Sequence, residues 1–317
     1  MRILVTGVTG FAGGALAEAL LGGAGDQVCG LSRGATWPPL WGRLTGRVPL
    51  HKADLHDPQS IENVLRQVRP DQVYHLAGYA AVGRSFQEPD AAWAGNLKVT
   101  RALYDAVARW GGRPRVLFVG SGLIYGDSGK SDEVQTEDTP LRPNSPYAAS
   151  KAATDLASYQ YTRYPGLEIV RARPFNHIGP GQSAEFAVAN FARQLVAIER
   201  GRQAPVLETG NLSPRRDLTD VRDTVAAYVL LMEKGRTGEA YNIASGQLHP
   251  MQEVLNRLLG LTGLKVEVRQ GATLVRSTEI AGVRVDTTKL RQETGWAPRF
   301  SLEETLRDTL AFWRKQA

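Results

Sequence analysis

Apolar residues along the chain fall into short unbroken runs, separated by longer stretches in which they recur every three or four positions. The runs at 2–6, 27–31, 73–76, 116–119 and 168–171 predict strands, and the periodic stretches near 12–22, 58–68, 93–110 and 147–163 predict helices. Strands without polar alternation are buried on both faces, and strand–helix alternation predicts an α/β fold with a doubly wound parallel sheet. After Arg173-Pro174 the rhythm breaks. Gly and Pro gather at 179–181 and 210–214, and helical patterns near 186–200, 221–234 and 250–262 no longer alternate regularly with strands. A final helix over about 301–315 opens with the capping box Ser301-x-x-Glu304. The expected division is a sheet domain at 1–173 with a returning segment at about 215–244, and a smaller C-terminal lobe made of 174–214 and 245–317.

Composition narrows the function classes. A chain of 317 residues with one cysteine, Cys29, has no disulfide framework and no cysteine-based metal cluster, so a reducing compartment is expected. The first residues turn glycine-rich by Gly7 without the apolar core of a signal peptide, and the apolar run at 225–232 is far too short to span a membrane. A cytoplasmic protein with no membrane contact is the expectation. The 38 Lys and Arg exceed the 32 Asp and Glu, a net charge of +6 that suits an anionic ligand. They are scattered, which argues against nucleic acid.

Gly7-Val8-Thr9-Gly10-Phe11-Ala12-Gly13 directly follows the first strand and opens the first helix. In that context glycines let the backbone approach a dinucleotide pyrophosphate, whose charge meets free N–H groups and the helix dipole. The G-x-x-G-x-x-G spacing resembles the short-chain dehydrogenase/reductase superfamily. Where an NAD-selective protein places an acid on the ribose 2′-hydroxyl, at the end of the second strand, this chain has Ser32 and Arg33. A hydroxyl and a guanidinium suit a 2′-phosphate, so NADP(H) is favoured over NAD(H). A solvated loop arginine is the other reading of Arg33. Trp37 and Trp41 follow, either flanking an adenine or packing.

Tyr147-Ala148-Ala149-Ser150-Lys151 stacks a phenol and an ammonium on one helical face. A positive charge beside tyrosine stabilises its phenolate and makes it a usable acid or base. Ser121, at the end of a predicted strand, can hold a substrate oxygen beside Tyr147. With these elements in order, the chain resembles the extended short-chain dehydrogenase/reductases that act on nucleotide sugars, over nearly its whole length. The resemblance implies a Rossmann domain, a catalytic triad of Ser121, Tyr147 and Lys151, and Asn96 at a helix kink that orders a proton-relay water. An exposed helix polar residue is the other account of Asn96. The resemblance also implies adenine contacts from Asp54 and Leu55, and walls of the cofactor site from Leu76, Ala77, Gly78 and Pro174.

On the substrate side, Phe175-Asn176-His177 is shared most closely with enzymes of GDP-mannose metabolism. By the same resemblance Asn176 bonds the diphosphate or sugar, Arg216 and Arg276 clamp the diphosphate, and Val82, Arg84 and Ser85 approach the hexose, while His177 reads as packing. The family's 4,6-dehydratases carry an acid two places after the triad hydroxyl; here Leu123 stands there. The implied activity is reduction of a 4-keto-6-deoxy nucleotide sugar, GDP-4-keto-6-deoxy-D-mannose to GDP-D-rhamnose, by a homodimer through the helices at 93–110 and 147–163. The alternatives are a nucleotide-sugar 4-epimerase of the UDP-glucose/galactose type, a GDP-mannose 4,6-dehydratase, and a non-catalytic nucleotide sensor. No metal site is expected, because no spacing relates His177 to the other histidines.

Overall fold

The computed structural model describes residues 1–23, 25–130, 134–271 and 282–316. Its first half runs β1 (Arg2–Thr6), α1 (Phe11–Leu20), β2 (Gln27–Ser32), β3 (Leu50–Lys52), α2 (Pro58–Val68), β4 (Gln72–His75), α3 (Pro89–Trp93), α4 (Val99–Trp110), β5 (Arg115–Val119), α5 (Pro146–Arg163) and β6 (Ile169–Pro174). The remainder contains β7 (His177–Ile178), α6 (Ala187–Glu199), β8 (Val206–Thr209), β9 (Arg215–Asp217), β10 (Thr219–Asp220), α7 (Val221–Lys234) and β11 (Ala240–Ile243). The chain continues through β12 (Leu248–Pro250), α8 (Met251–Thr262), β13 (Glu267–Gln270), α9 (Thr288–Thr294) and α10 (Leu302–Gln316).

Seven strands form one parallel sheet in the order β11-β6-β5-β4-β1-β2-β3. Alternate residues of β1 feed two cores: Ile3 and Val5 join Leu16 of α1 and Tyr228 of α7, whereas Leu4 joins Ile61 of α2 and Leu103 of α4. A third core, among them Phe191, Leu195, Leu255 and Leu306, lies under α6, α8 and α10. Strand order reverses between β1 and β4, so their carboxyl ends open the crevice in which doubly wound sheets bind ligands.

Two departures from the sequence pattern have local causes. β6 runs three residues past its apolar stretch, because Arg173 is buried in the sheet by Asp155, which takes its Nε at 3.0 Å and its Nη2 at 2.8 Å. The single helix expected over 93–110 is interrupted by a π turn at Ala94–Lys98. There the Thr100 hydroxyl donates to the Asn96 carbonyl at 2.7 Å, occupying an acceptor of the helix ladder.

Candidate active site

The turn after β1 is shaped by contacts that exclude side chains. Gly7 lies at φ +67°, and a Cβ there would come within 2.7 Å of the Ala77 amide nitrogen after β4. A Cβ on Gly13 would strike the Gly7 carbonyl. Gly10 precedes α1 in extended conformation with no side chain capping the helix and no acid in its first turn. The N–H groups of Phe11, Ala12 and Gly13 therefore open the helix toward the crevice, which fits a diphosphate. Trp41 is buried against this turn and donates from Nε1 to the Gly10 carbonyl at 3.0 Å, while Trp37 donates to the Val48 carbonyl. Both tryptophans pack.

At the adenosine end, Ser32 closes β2 and Arg33 is exposed, with no hydrogen bond or ion pair among the described residues. The register of β2 and β3 sets Lys52 beside Ser32, so their side chains share one face of the sheet. Lys52 is also exposed without a partner among the described residues. No motif points to it; the pairing of two strands distant in sequence does. The exposed Asp54 accepts the His56 N–H at 2.9 Å, and Leu55 packs on the second core.

Four side chains converge where β4, β5 and α5 meet. Ser145 caps α5, with Pro146 in the first turn, and this start aims Tyr147 and Lys151 toward the end of β5. Ser121 begins a 3₁₀ turn at Gly122–Tyr125, its hydroxyl accepting the Leu123 N–H at 3.2 Å. Burial pushes the pKa of the Tyr147 phenol up, and the Ser121 hydroxyl draws it partway back. Lys151 donates from Nζ to the Val119 carbonyl at 2.9 Å, and burial lowers its pKa to about 8. The expected ammonium effect on the phenol is not seen in this geometry, because Nζ is turned to Val119.

Asn96 is 1% exposed, so it is not a surface polar residue of a helix. Its Nδ2 donates to Ser150 Oγ at 2.9 Å, its Oδ1 accepts the Tyr79 N–H at 3.0 Å, and Ser150 Oγ donates to the Tyr147 carbonyl at 2.8 Å. A methyl group on Gly78 would lie 2.7 Å from Asn96 Oδ1 and 3.5 Å from Lys151 Nζ. Leu76, Ala77 and Gly78 thus line the same crevice as the tyrosine helix. Pro174 is buried at the end of β6.

The substrate-side residues are less gathered. Val82 is half-buried, and Ser85 is fully buried: its Oγ donates to the Val82 carbonyl at 2.7 Å and accepts the Tyr147 N–H at 3.3 Å, which puts it behind the tyrosine. Arg84 is exposed and lies 3.6 Å from Glu88 and 3.9 Å from Glu185. Asn176 is exposed, and its Nδ2 donates to the Asp217 carbonyl. His177 stacks on Phe11 with ring centroids 5.9 Å apart, and burial lowers its pKa. Arg216 sits on β9, its Nη1 donating to the Arg215 carbonyl at 3.0 Å. Arg276 lies outside the described residues.

Comparison with known proteins agrees with this architecture. The model of the family described as GDP-mannose 4,6 dehydratase matches residues 4–309. A Pseudomonas aeruginosa protein named GDP-6-deoxy-D-mannose reductase is 33% identical over 315 residues, which cover 99% of this chain and 98% of that one. The structure of RMD from Pseudomonas aeruginosa complexed with NADPH superposes with a TM-score of 0.85 at 31% identity, covering 100% of both chains. The UDP-glucose 4-epimerase of Thermus thermophilus, in complex with NAD, gives 0.87 at 30% identity with the same coverage. A seven-stranded doubly wound sheet, a glycine turn at its switch point and a sequence match through residues 4–309 together place this chain in the GDP-mannose 4,6 dehydratase family.

Proposed function

We propose that this protein is an NADPH-dependent reductase of a GDP-linked 4-keto-6-deoxyhexose, converting GDP-4-keto-6-deoxy-D-mannose to GDP-D-rhamnose. The observation that carries the reading is Leu123. It follows Ser121 by two residues, is 38% exposed, and cannot move a proton where dehydration requires an acid. Full-length likeness to the Pseudomonas reductase supports the same choice.

Tyr147 is the proton donor and Ser121 holds the substrate carbonyl oxygen. A phenol whose pKa is raised by burial stays protonated near neutrality, the state a donor needs. Lys151 holds the nicotinamide ribose and Asn96 orients the relay behind it. Gly7, Gly10, Phe11, Ala12 and Gly13 hold the diphosphate of the dinucleotide, Ser32 and Arg33 with Lys52 the 2′-phosphate, Asp54 and Leu55 the adenosine, and Leu76, Ala77, Gly78 and Pro174 the nicotinamide end. Bound NADPH supplies the hydride. Arg216, Arg276 and Asn176 hold the sugar nucleotide, with Val82 and Arg84 at the hexose. We assign residues 1–173 and about 215–244 to the cofactor domain and the rest to the sugar-nucleotide lobe. The assembly is a cytoplasmic homodimer through α4 and α5, where Leu156 and Tyr159 are exposed. Among the described residues no helix is long and apolar enough to cross a membrane.

Stoichiometry tests the reading. One NADPH should be oxidised per GDP-4-keto-6-deoxy-D-mannose consumed, and GDP-mannose alone should yield no 4-keto product. Likeness to a UDP-glucose 4-epimerase keeps a second reading, in which UDP-sugars interconvert without net change in cofactor. That outcome would replace the first.

A further inference from the structure

His75 is fully buried at the end of β4, next to Thr6 in the register of β1 and β4, and the reaction outlined above leaves it without a role. Its ring lies between two aromatic neighbours, Tyr104 and Phe118, each with centroids 6.5 Å away. Nδ1 is 2.7 Å from Thr6 Oγ1 and Nε2 is 2.9 Å from Thr100 Oγ1.

The proton positions on this chain follow from counting donors. The single Thr100 hydroxyl hydrogen is spent on the Asn96 carbonyl at 2.7 Å, so toward His75 this oxygen can only accept. Nε2 must then carry the hydrogen. Nδ1, left with a lone pair, accepts from the Thr6 hydroxyl, whose oxygen in turn accepts the Ala77 N–H at 3.2 Å. From the Asn96 turn the same chain continues through Asn96 Nδ2 and Ser150 Oγ to the carbonyl of Tyr147. An imidazolium would place a second N–H against Thr6 and turn its hydroxyl away.

We propose that His75, held as the neutral Nε2–H tautomer, is a positioning residue that ties the strand leading into the glycine turn to the π turn carrying Asn96, and through Ser150 to the tyrosine helix. Burial lowers the pKa of its imidazole to about 3, and Lys151, the charged group that acts on it, pushes the same way. The role rests on Tyr147 and Lys151 as the reacting pair, but the tautomer does not. In the sequence, His75-Leu76-Ala77-Gly78 resembles the family's wall beside the nicotinamide ribose, or reads as an ordinary strand end, and neither reading gives the imidazole a tautomer.

Two measurements on the full-length protein test the proposal. Long-range ¹H–¹⁵N correlation spectra, with His75→Gln to assign the signal, should show Nε2 protonated and Nδ1 bare, unchanged from pH 6 to pH 8. A protonated Nδ1, or titration within that range, overturns the tautomer and with it the proposal. In kinetics, His75→Leu should lower kcat by ~10-fold with NADPH affinity, measured by fluorescence titration, changed less than about twofold. The amide of His75→Gln can still donate to Thr100 and should recover most of that loss. Equal losses in both variants, no loss in either, or affinity falling in step with kcat would each make His75 an ordinary core residue. A wild type that oxidises no NADPH with GDP-4-keto-6-deoxy-D-mannose would count against the substrate reading alone, and the spectra would still decide the tautomer.

Discussion

The two walls of the crevice are built on different physical terms. On the tyrosine side Asn96, Ser121, Tyr147 and Lys151 are each 8% exposed or less, and the side chains of Asn96, Ser121 and Lys151 are hydrogen-bonded within the chain. On the substrate side Arg84 and Asn176 are exposed, and Arg216 is only half-buried on a three-residue strand. Groups that move a proton gain from fixed geometry in a dry setting, because no reorganisation is then needed during reaction. A guanidinium that recognises a diphosphate is better left hydrated until the anion arrives, since burying it alone costs several kcal/mol. Ser85 crosses this division: by sequence it falls among the sugar contacts, by structure it belongs to the buried wall.

The sharpest test of the division is Tyr147→Phe, which should lower kcat by about 10²–10⁴-fold while NADPH still binds within a few-fold of wild type. Near-normal kcat in the folded variant would remove Tyr147 from the mechanism. On the opposite wall, Arg216→Ala should raise KM for the sugar nucleotide ~10- to 100-fold and leave NADPH affinity unchanged in a binding titration. Equal effects on both ligands would mean a folding defect and erase the contrast.

Ser32→Asp, which sets a carboxylate against the 2′-phosphate, should shift the NADPH over NADH preference by ~10-fold or more in kcat/KM. Lys52→Ala should weaken 2′,5′-ADP more than 5′-AMP in calorimetry. The buried ammonium adds a pH limit. With its pKa lowered to about 8, Lys151 is charged below that value and neutral above it, so kcat should decline on the alkaline side. Lys151→Arg stays charged and should lack that limb; an unchanged profile would uncouple Lys151 from the rate. The smallest effect belongs to Ser85→Ala, with kcat ~2- to 5-fold lower and KM constant. A rise in KM alone would return Ser85 to the sugar-contacting wall.

Periodicity made the architecture legible. The helices at Pro58–Val68 and Val221–Lys234 fall where the apolar spacing puts them, because an amphipathic face records burial directly. The apolar run alone ends β6 early, since Arg173 looks like a strand end until Asp155, eighteen residues away, neutralises it. Periodicity alone does not show the π turn at Asn96, where only the resemblance implies a kink: Asn96 accepts from the Tyr79 N–H and donates to Ser150, and neither partner leaves a periodic trace.

Local chemistry in the sequence sufficed to bring out the glycine turn, the Tyr147 and Lys151 pair and the Ser121 strand end, because each depends on neighbours within a turn of helix or at a strand terminus. Tertiary structure alone decided which hydroxyls are spent within the chain, which cation stands beside Ser32, and which nitrogen of His75 carries its proton. Those are properties of pairs 20 to 62 residues apart, and a hydrogen bond is settled by where two groups meet rather than by what either one is.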